Sequence, residues 1–231
     1  MKILKKEYSI LFGDQSASYV KHSLKGCTQK ELSSKPPFSD FAGMPLVFLN
    51  QVHGTKGYCI DTPAAAQIAP YAFDGDYMVT TLLGVALVVE TADCVPLVLL
   101  DSVKMVAALV HAGWRGAIGG IVTNALHDMF MRGSAPEDIQ AFCGPAARGC
   151  CYEVGKDFKQ LFRETSAFIV RDGRIFFDNV SYITGQLETM GIGKHHIFLN
   201  NAACTICSEG YCSYRRQGSL QLRQMTIVAL K

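Results

Sequence analysis

Three residues at the ends of apolar runs have the chemistry to share one ion. They are His53 in Gln51-Val52-His53-Gly54, Cys94 in Thr91-Ala92-Asp93-Cys94-Val95-Pro96, and His111 in His111-Ala112-Gly113-Trp114-Arg115-Gly116. One thiolate and two imidazoles around a tetrahedral ion leave a fourth position open, the ligand count of a catalytic rather than a structural zinc site. Each residue alone has a plainer explanation: a histidine bonded to backbone, or a cysteine used as a small apolar residue. Their joint occurrence beside Gly, Asp and Pro favours the metal. The same residues also permit chemistry without one, with Cys94 as a nucleophile activated by His111 and with Gln51 or Asp93 orienting the base. A coordinated thiolate is not a free nucleophile, so the two readings exclude each other at any one moment.

The elements that must position these residues are legible from apolar periodicity. Leu46 to Leu49 predicts a short strand delivering Gln51 and His53 at its end. Gly84 to Glu90 is nearly continuous and β-branched, as suits a strand buried on both faces. Val95 to Leu100 and Met105 to His111 predict a hairpin around Asp101-Ser102-Val103-Lys104, which brings Cys94 and His111 to the same end of a sheet. Ile118, Ile121, Val122, Ala125, Leu126, Met129 and Phe130 form one helical stripe ending at Gly133. Further expectations are a helix from Glu153 to Glu164, a hairpin from Phe168 to Asp178 turning at Asp172-Gly173, and a helix capped by Asn179 that ends at Gly191. Strands at His196 to Leu199 and Thr226 to Leu230 complete the series. Long runs of both types in mixed order predict α+β or α/β layers with at least one mixed sheet.

Composition narrows the function classes. A chain of 231 residues, 49% apolar and 18% charged, fits one soluble globular domain over 1–231. A net charge of +2 with scattered Lys and Arg gives no reason to expect a nucleic-acid or acidic-membrane partner. The longest apolar runs are too short to span a bilayer, and Met1 to Ser9 lacks the apolar stretch of a signal peptide, so a cytoplasmic protein is expected. Nine cysteines in such a chain read as reduced thiols rather than a disulfide scaffold.

Other motifs carry weaker signals. Gly113-Trp114-Arg115-Gly116 opens a helix, where Arg115 offers a planar fork to phosphate or carboxylate; the plain alternative is a tight turn with Trp114 in the core. Tyr214-Arg215-Arg216 reads by itself as a solvated charge pair. Cys204-Thr205-Ile206-Cys207, with Cys212 and the Cys150-Cys151 pair, has the sulfur count of a structural zinc site but lacks a second CxxC. Gly144-Pro145 reads as a strand end, not a phosphate loop.

In order along the chain, Gln51-Val52-His53-Gly54, Asp74-Gly75-Asp76, Ala92-Asp93-Cys94-Val95-Pro96, His111 to Gly116, Cys143-Gly144-Pro145, Cys204-Thr205 and Tyr214-Arg215-Arg216 resemble the laccase-domain family. Its members have been called multicopper polyphenol oxidases and are now described as zinc-dependent purine nucleoside phosphorylases. The resemblance implies a layered αββα-type sandwich with mixed sheets, in the α+β class. It implies one zinc on His53, Cys94 and His111, and phosphorolysis of adenosine, inosine and methylthioadenosine with adenosine deamination as a further activity. Arg115, Asp93 and Gln51 are then the expected catalytic residues, with Arg115, Tyr214 and Arg215 binding substrate. Copper is disfavoured, since six histidines, two of them adjacent, are few for a multicopper cluster. The alternatives are a cysteine or zinc amidase acting on a peptidoglycan precursor, a polyphenol oxidase, and an inactive metal-binding protein. The chain departs from the family at Phe12-Gly13-Asp14-Gln15-Ser16, which lacks an expected arginine, and at Gln221-Leu222-Arg223, which replaces a Thr-Gly-Arg.

Overall fold

The computed structural model describes residues 1–162 and 165–231. Two six-stranded mixed sheets lie face to face. The first runs in the order Lys2–Leu4, Tyr8–Phe12, Leu222–Leu230, Ala86–Thr91, Leu46–Phe48, with Tyr19–Val20 paired to the start of the long C-terminal strand. The second runs Ile197–Phe198, Ile139–Cys143, Val95–Asp101, Val106–Ala112, Tyr77–Thr80, Gly57–Cys59. A small three-stranded sheet joins Glu153–Val154, Arg174–Phe177 and Phe168–Arg171.

Side-chain alternation along the strands explains the layering, because successive residues face opposite sides of a sheet. Val98 and Leu100 meet Leu109, Leu87, Val89 and Val228 in the core between the two large sheets. Val95, Leu97 and Leu99 point the other way, against Val122, Leu126 and Met129 of the Ile121–Phe130 helix and Ile183 and Leu187 of the Asn179–Thr189 helix. On the outer face of the first sheet, Val88 and Ile227 pack with Leu32, Phe38 and Phe41 from the N-terminal segments. The result is the αββα-type sandwich expected of an α+β chain. Central strands buried on both faces account for the nearly continuous apolar runs.

The hairpin pairs Val95 with Ala112 and Pro96 with His111. Its turn is closed by Asp101 Oδ1, which accepts from the amides of Val103 and Lys104 at 2.9 Å each. The second hairpin turns at Asp172-Gly173, both with positive φ.

Three helix expectations are corrected. The stripe from Ile118 to Phe130 is two helices, Trp114–Ile118 and Ile121–Phe130, broken at Gly120 with φ +91°. A single left-handed residue bends the chain, and Ala117 rather than Ile118 packs in the core, but the apolar spacing in sequence runs on across the break and periodicity alone reads straight through it. The span from Glu153 to Glu164 is a short strand, Glu153–Val154, followed by the helix Lys156–Gln160; its last residue, Glu164, lies outside the described residues. The aromatic spacing that suggested one helix instead places Phe158 and Phe162 in a ring cluster with Phe168 and Phe177. Asp178, not Asn179, caps the Asn179–Thr189 helix, accepting from the Ser181 amide at 3.0 Å.

Gly120→Ala tests the break by the sign of its effect. In a continuous helix the change would stabilise by up to about 1 kcal/mol. At a left-handed residue it should instead destabilise by about 1–2 kcal/mol, read as a lower midpoint in urea unfolding.

Candidate metal centre and cavity

The site is assembled at one end of the second sheet. His111 lies in the Val106–Ala112 strand, Asp76 immediately precedes the Tyr77–Thr80 strand beside it, and the His111 amide donates to the Asp76 carbonyl at 2.7 Å. The Asp76 side chain is buried and fully engaged. Its Oδ1 accepts from the His53 amide at 2.9 Å and lies 2.9 Å from His111 Nδ1, while Oδ2 accepts from the Gly54 amide at 2.7 Å and the Val52 amide at 3.3 Å. Burial pushes the Asp76 carboxyl up, but the hydrogen bond and charge of His111 and the two stronger amide bonds hold it below its ordinary value.

With His111 Nδ1 committed to Asp76, Nε2 is the nitrogen left for a ligand. The ligand atoms of His53, Cys94 and His111 all lie within 4.8 Å of one another. The rings of His53 and His111 meet edge to face with centroids 4.8 Å apart. Burial alone would raise the Cys94 thiol; the His111 charge, with hydrogen bonds from His111 and His53, outweighs it and brings the thiol down to about 6. His111 is lowered by burial but raised to about 9 by the Cys94 thiolate and Asp76. Gly113 leaves room for this arrangement, since a Cβ there would sit 3.1 Å from both Cys94 Sγ and His53 Cδ2. A thiolate and two imidazoles, one with its far nitrogen fixed by a carboxylate, fit a tetrahedral metal.

His53 and Asp93, which lie in the turns that carry the ligands, hold positive φ at 62° and 86°. Such backbone costs energy in non-glycine residues and persists only where surroundings enforce it. At Asp93 the surroundings are visible. Its Oδ1 accepts from Thr205 Oγ1 at 2.6 Å, its Oδ2 from the Arg215 amide at 2.7 Å, and its carbonyl from the Ala147 amide at 2.9 Å. Gln51 is likewise occupied: its amide nitrogen donates to the Glu90 carbonyl and its oxygen accepts from the Glu90 amide, both at 2.8 Å.

The three ligand residues open into a cavity of about 450 Å³, within the roughly 300–1,000 Å³ of small-molecule sites. Gln51, Asp93, Arg115, Tyr214 and Arg215 all line it. Arg115 is exposed in the first turn of its short helix, with its guanidinium over the Trp114 ring, 4.3 Å from the centroid. Trp114 is half-buried on the wall, not in the core, and meets Phe158 edge to face. Arg215 lies over the Tyr152 ring at 4.7 Å and donates to the Glu153 carbonyl at 3.0 Å. Arg216 does not line the cavity; it turns back to the Tyr211 carbonyl. The chain after Cys143 does end a strand, with the Gly144 amide bonded to the Pro96 carbonyl.

Sequence reasoning missed Lys21, Glu90, Tyr152, Asn179 and Arg223, all of which line the cavity. Asp76 was visible only as part of the Asp-Gly-Asp motif. Burial raises the Glu90 carboxyl although Tyr71 Oη donates to it at 2.9 Å. Asn179 is buried, donates through Nδ2 to the Ala112 carbonyl at 2.9 Å, and leaves its buried Oδ1 without a partner.

The model of a family described as multi-copper polyphenol oxidoreductase laccase matches residues 37–231. The chain belongs to this family. A relative from Aquifex aeolicus named purine nucleoside phosphorylase is 40% identical over 157 residues, 68% of this chain and 72% of that protein. A Deinococcus radiodurans protein of the same name is 35% identical over 193 residues, 82% of this chain and 72% of that one. Among solved structures, the hypothetical protein YfiH of Bacillus licheniformis superposes with a TM-score of 0.80 at 25% identity, covering 97% of this chain and 93% of that one. YlmD of Geobacillus stearothermophilus gives 0.79 at 24% identity, with 97% and 91% covered. No helix among the described residues is long and apolar enough to cross a membrane.

Asp76→Asn keeps the shape of the buried side chain but removes its charge and one acceptor. Metal affinity, measured by competition with a chelator, should fall about 10–100-fold, the usual effect of losing the group behind a metal-bound histidine. An unchanged affinity would show that Asp76 serves the fold alone.

Proposed function

We propose that this protein is a zinc-dependent purine nucleoside phosphorylase that takes adenosine, inosine and methylthioadenosine, with adenosine deamination as a further activity. The observation that carries this reading is the convergence of His53, Cys94 and His111 at a cavity walled by Lys21, Arg115, Arg215 and Arg223. The names of the relatives supply the substrate class. Zinc suits a mixed sulfur and nitrogen donor set and supplies a Lewis acid able to polarise an oxygen of the reactants.

The chain's own groups divide the remaining work. In phosphorolysis a phosphate oxygen bonds to the anomeric carbon as the carbon–nitrogen bond to the base breaks, and the electron pair leaves with the purine. Arg115, with its fork presented at the cavity, holds the phosphate, and the other cations favour its entry. Trp114, Tyr152 and Tyr214 give the purine aromatic faces to lie against. Asn179 Oδ1 accepts from a donor on the base edge. Glu90, raised by burial, is the wall carboxyl best able to keep a proton at one of its oxygens. Gln51 and Asp93 act as positioning residues, because their polar atoms are already engaged by backbone and Thr205.

A second reading is favoured by the pairing of a lowered Cys94 thiol with a raised His111, the state of an activated cysteine nucleophile in a hydrolase. Incubation with adenosine or inosine separates the two. Phosphate-dependent release of free base, lost on zinc removal and restored by its return, is the expected result. Turnover of an amide substrate that survives chelation and is abolished by alkylation of Cys94 would favour the hydrolase. Conversion of adenosine to inosine with no phosphate-dependent release of base would leave deamination as the sole activity.

Arg115→Ala should lower kcat/KM for phosphorolysis about a hundredfold, equivalent to about 3 kcal/mol, with zinc content and unfolding midpoint near wild type. Loss of zinc or of folding in this variant would make Arg115 structural.

A further inference from the structure

We propose that Cys150, Cys151, Cys204 and Cys207 form a second zinc site, a closed tetrathiolate clasp that ties the loop leading to Tyr152 to the loop that carries Thr205. The four sulfurs lie within 4.8 Å of one another, although they come from two segments more than fifty residues apart. Cys150 Sγ and Cys207 Sγ are 3.9 Å apart. With Zn–S bonds of about 2.3 Å, the edge of a regular tetrahedron is about 3.8 Å, so little movement is needed to close around an ion. Cys212, grouped with these residues from sequence, is not part of the set.

Backbone geometry forms the cradle before any ion arrives. Ala146 and Cys204 form a parallel bridge, with the Ala146 amide donating to the Ala203 carbonyl and the Thr205 amide to the Ala146 carbonyl, both at 3.0 Å. Arg148 fastens the first loop from outside the cluster, with Nε 3.0 Å from both oxygens of Asp178. Burial raises the Cys204 thiol, but the amides of Cys207, Arg148 and Ile206 and the Cys150 thiol donate to its sulfur and leave it below its ordinary value. Cys150 and Cys151 are pushed up, chiefly by burial and then by their thiol neighbours. A divalent cation would bind by replacing thiol protons, which leave to solvent. Arg171, donating to the Cys150 carbonyl at 2.9 Å, offsets part of the remaining negative charge.

Four thiolates leave no open position, which is the character of a structural rather than a catalytic zinc. Its place gives it leverage on the first site. Tyr152 follows Cys151 and lines the cavity; Thr205 follows Cys204 and bonds Asp93, the neighbour of Cys94. The clasp is independent of the reaction proposed for the cavity.

The test is metal stoichiometry in the full chain, purified under reducing conditions without added metal. We expect about two zinc ions per chain in the wild type, about one in Cys94→Ala, and about one in Cys150→Ser/Cys207→Ser, whose altered residues are both exposed. Cobalt added to metal-stripped Cys94→Ala should give the intense sulfur-to-metal bands of a tetrathiolate, absent when Cys150→Ser/Cys207→Ser is added to that background. Zinc retained by the wild type and Cys94→Ala but lost from Cys150→Ser/Cys207→Ser would support the clasp while overturning the His–Cys–His centre. The clasp is overturned if Cys94→Ala carries no zinc and takes up none from an equimolar addition. It is equally overturned if the four thiols are found as a disulfide in the purified protein, or if the bound ion is iron.

Discussion

One buried carboxylate organises this molecule's chemistry. Asp76 takes three consecutive amides from the His53 turn and the Nδ1 side of His111, so it joins a loop to a strand, orienting the His111 imidazole while it holds the backbone of His53. A buried carboxylate is tolerable only when its oxygens are satisfied, and an unpaired one would cost several kcal/mol. The carboxylate therefore demands these partners as much as they demand it. Because Asp76 lies at the entry of a fully buried strand paired to Val106–Ala112, which is core on both faces, its position is tied to the sheet. Rigidity at the metal ligands follows from that, without any requirement that the His53 loop be ordered by its own sequence.

Asp93 plays the corresponding part beside Cys94. Its carboxylate meets Thr205 and the backbone of Arg215, residues more than a hundred positions away, and its carbonyl meets Ala147. Three segments that read as separate motifs are thus one hydrogen-bonded unit around the residue before Cys94. The positive φ at Asp93 belongs to the same account: an extended residue there would turn the carboxylate away from both partners, and the bonds made offset the backbone cost. A cavity built from such distant segments exists only in the folded chain.

What could be read from the sequence follows from the range of the interactions involved. The Val95–Asp101 and Val106–Ala112 hairpin was legible because two continuous apolar runs flanking an Asp turn are a local pattern, and pairing then brings Cys94 and His111 together by register. Leu46–Phe48 and its delivery of His53 were legible for the same reason. The break at Gly120 was not, since the apolar spacing in sequence continues through it even though Ala117, not Ile118, joins the core. The short helix Lys156–Gln160 was overestimated because aromatic spacing that serves a ring cluster imitates a helical face. Lys21 and Arg223 reach the cavity through the pairing of Tyr19–Val20 with the C-terminal strand, a contact between chain ends that no local pattern announces.

That pairing bears on the arginine missing near the N-terminus. Phe12-Gly13-Asp14-Gln15-Ser16 lacks it, yet the strand that follows leads into Lys21, and its partner carries Arg223, so two cations line the cavity from this side. Cationic character is a property of the wall, and different positions can supply it. The same reasoning applies to the metal. Among the described residues the clusters able to hold an ion are one His–Cys–His set and one set of four sulfurs. Neither gathers the many imidazoles of a multicopper cluster, although one thiolate with two imidazoles is a donor set that zinc shares with copper. What favours the proposed reading over electron transfer is the wall around the donors: Lys21, Arg115, Arg215 and Arg223 line the same cavity, and four cations at one small site favour an anionic reactant beside any ion held there.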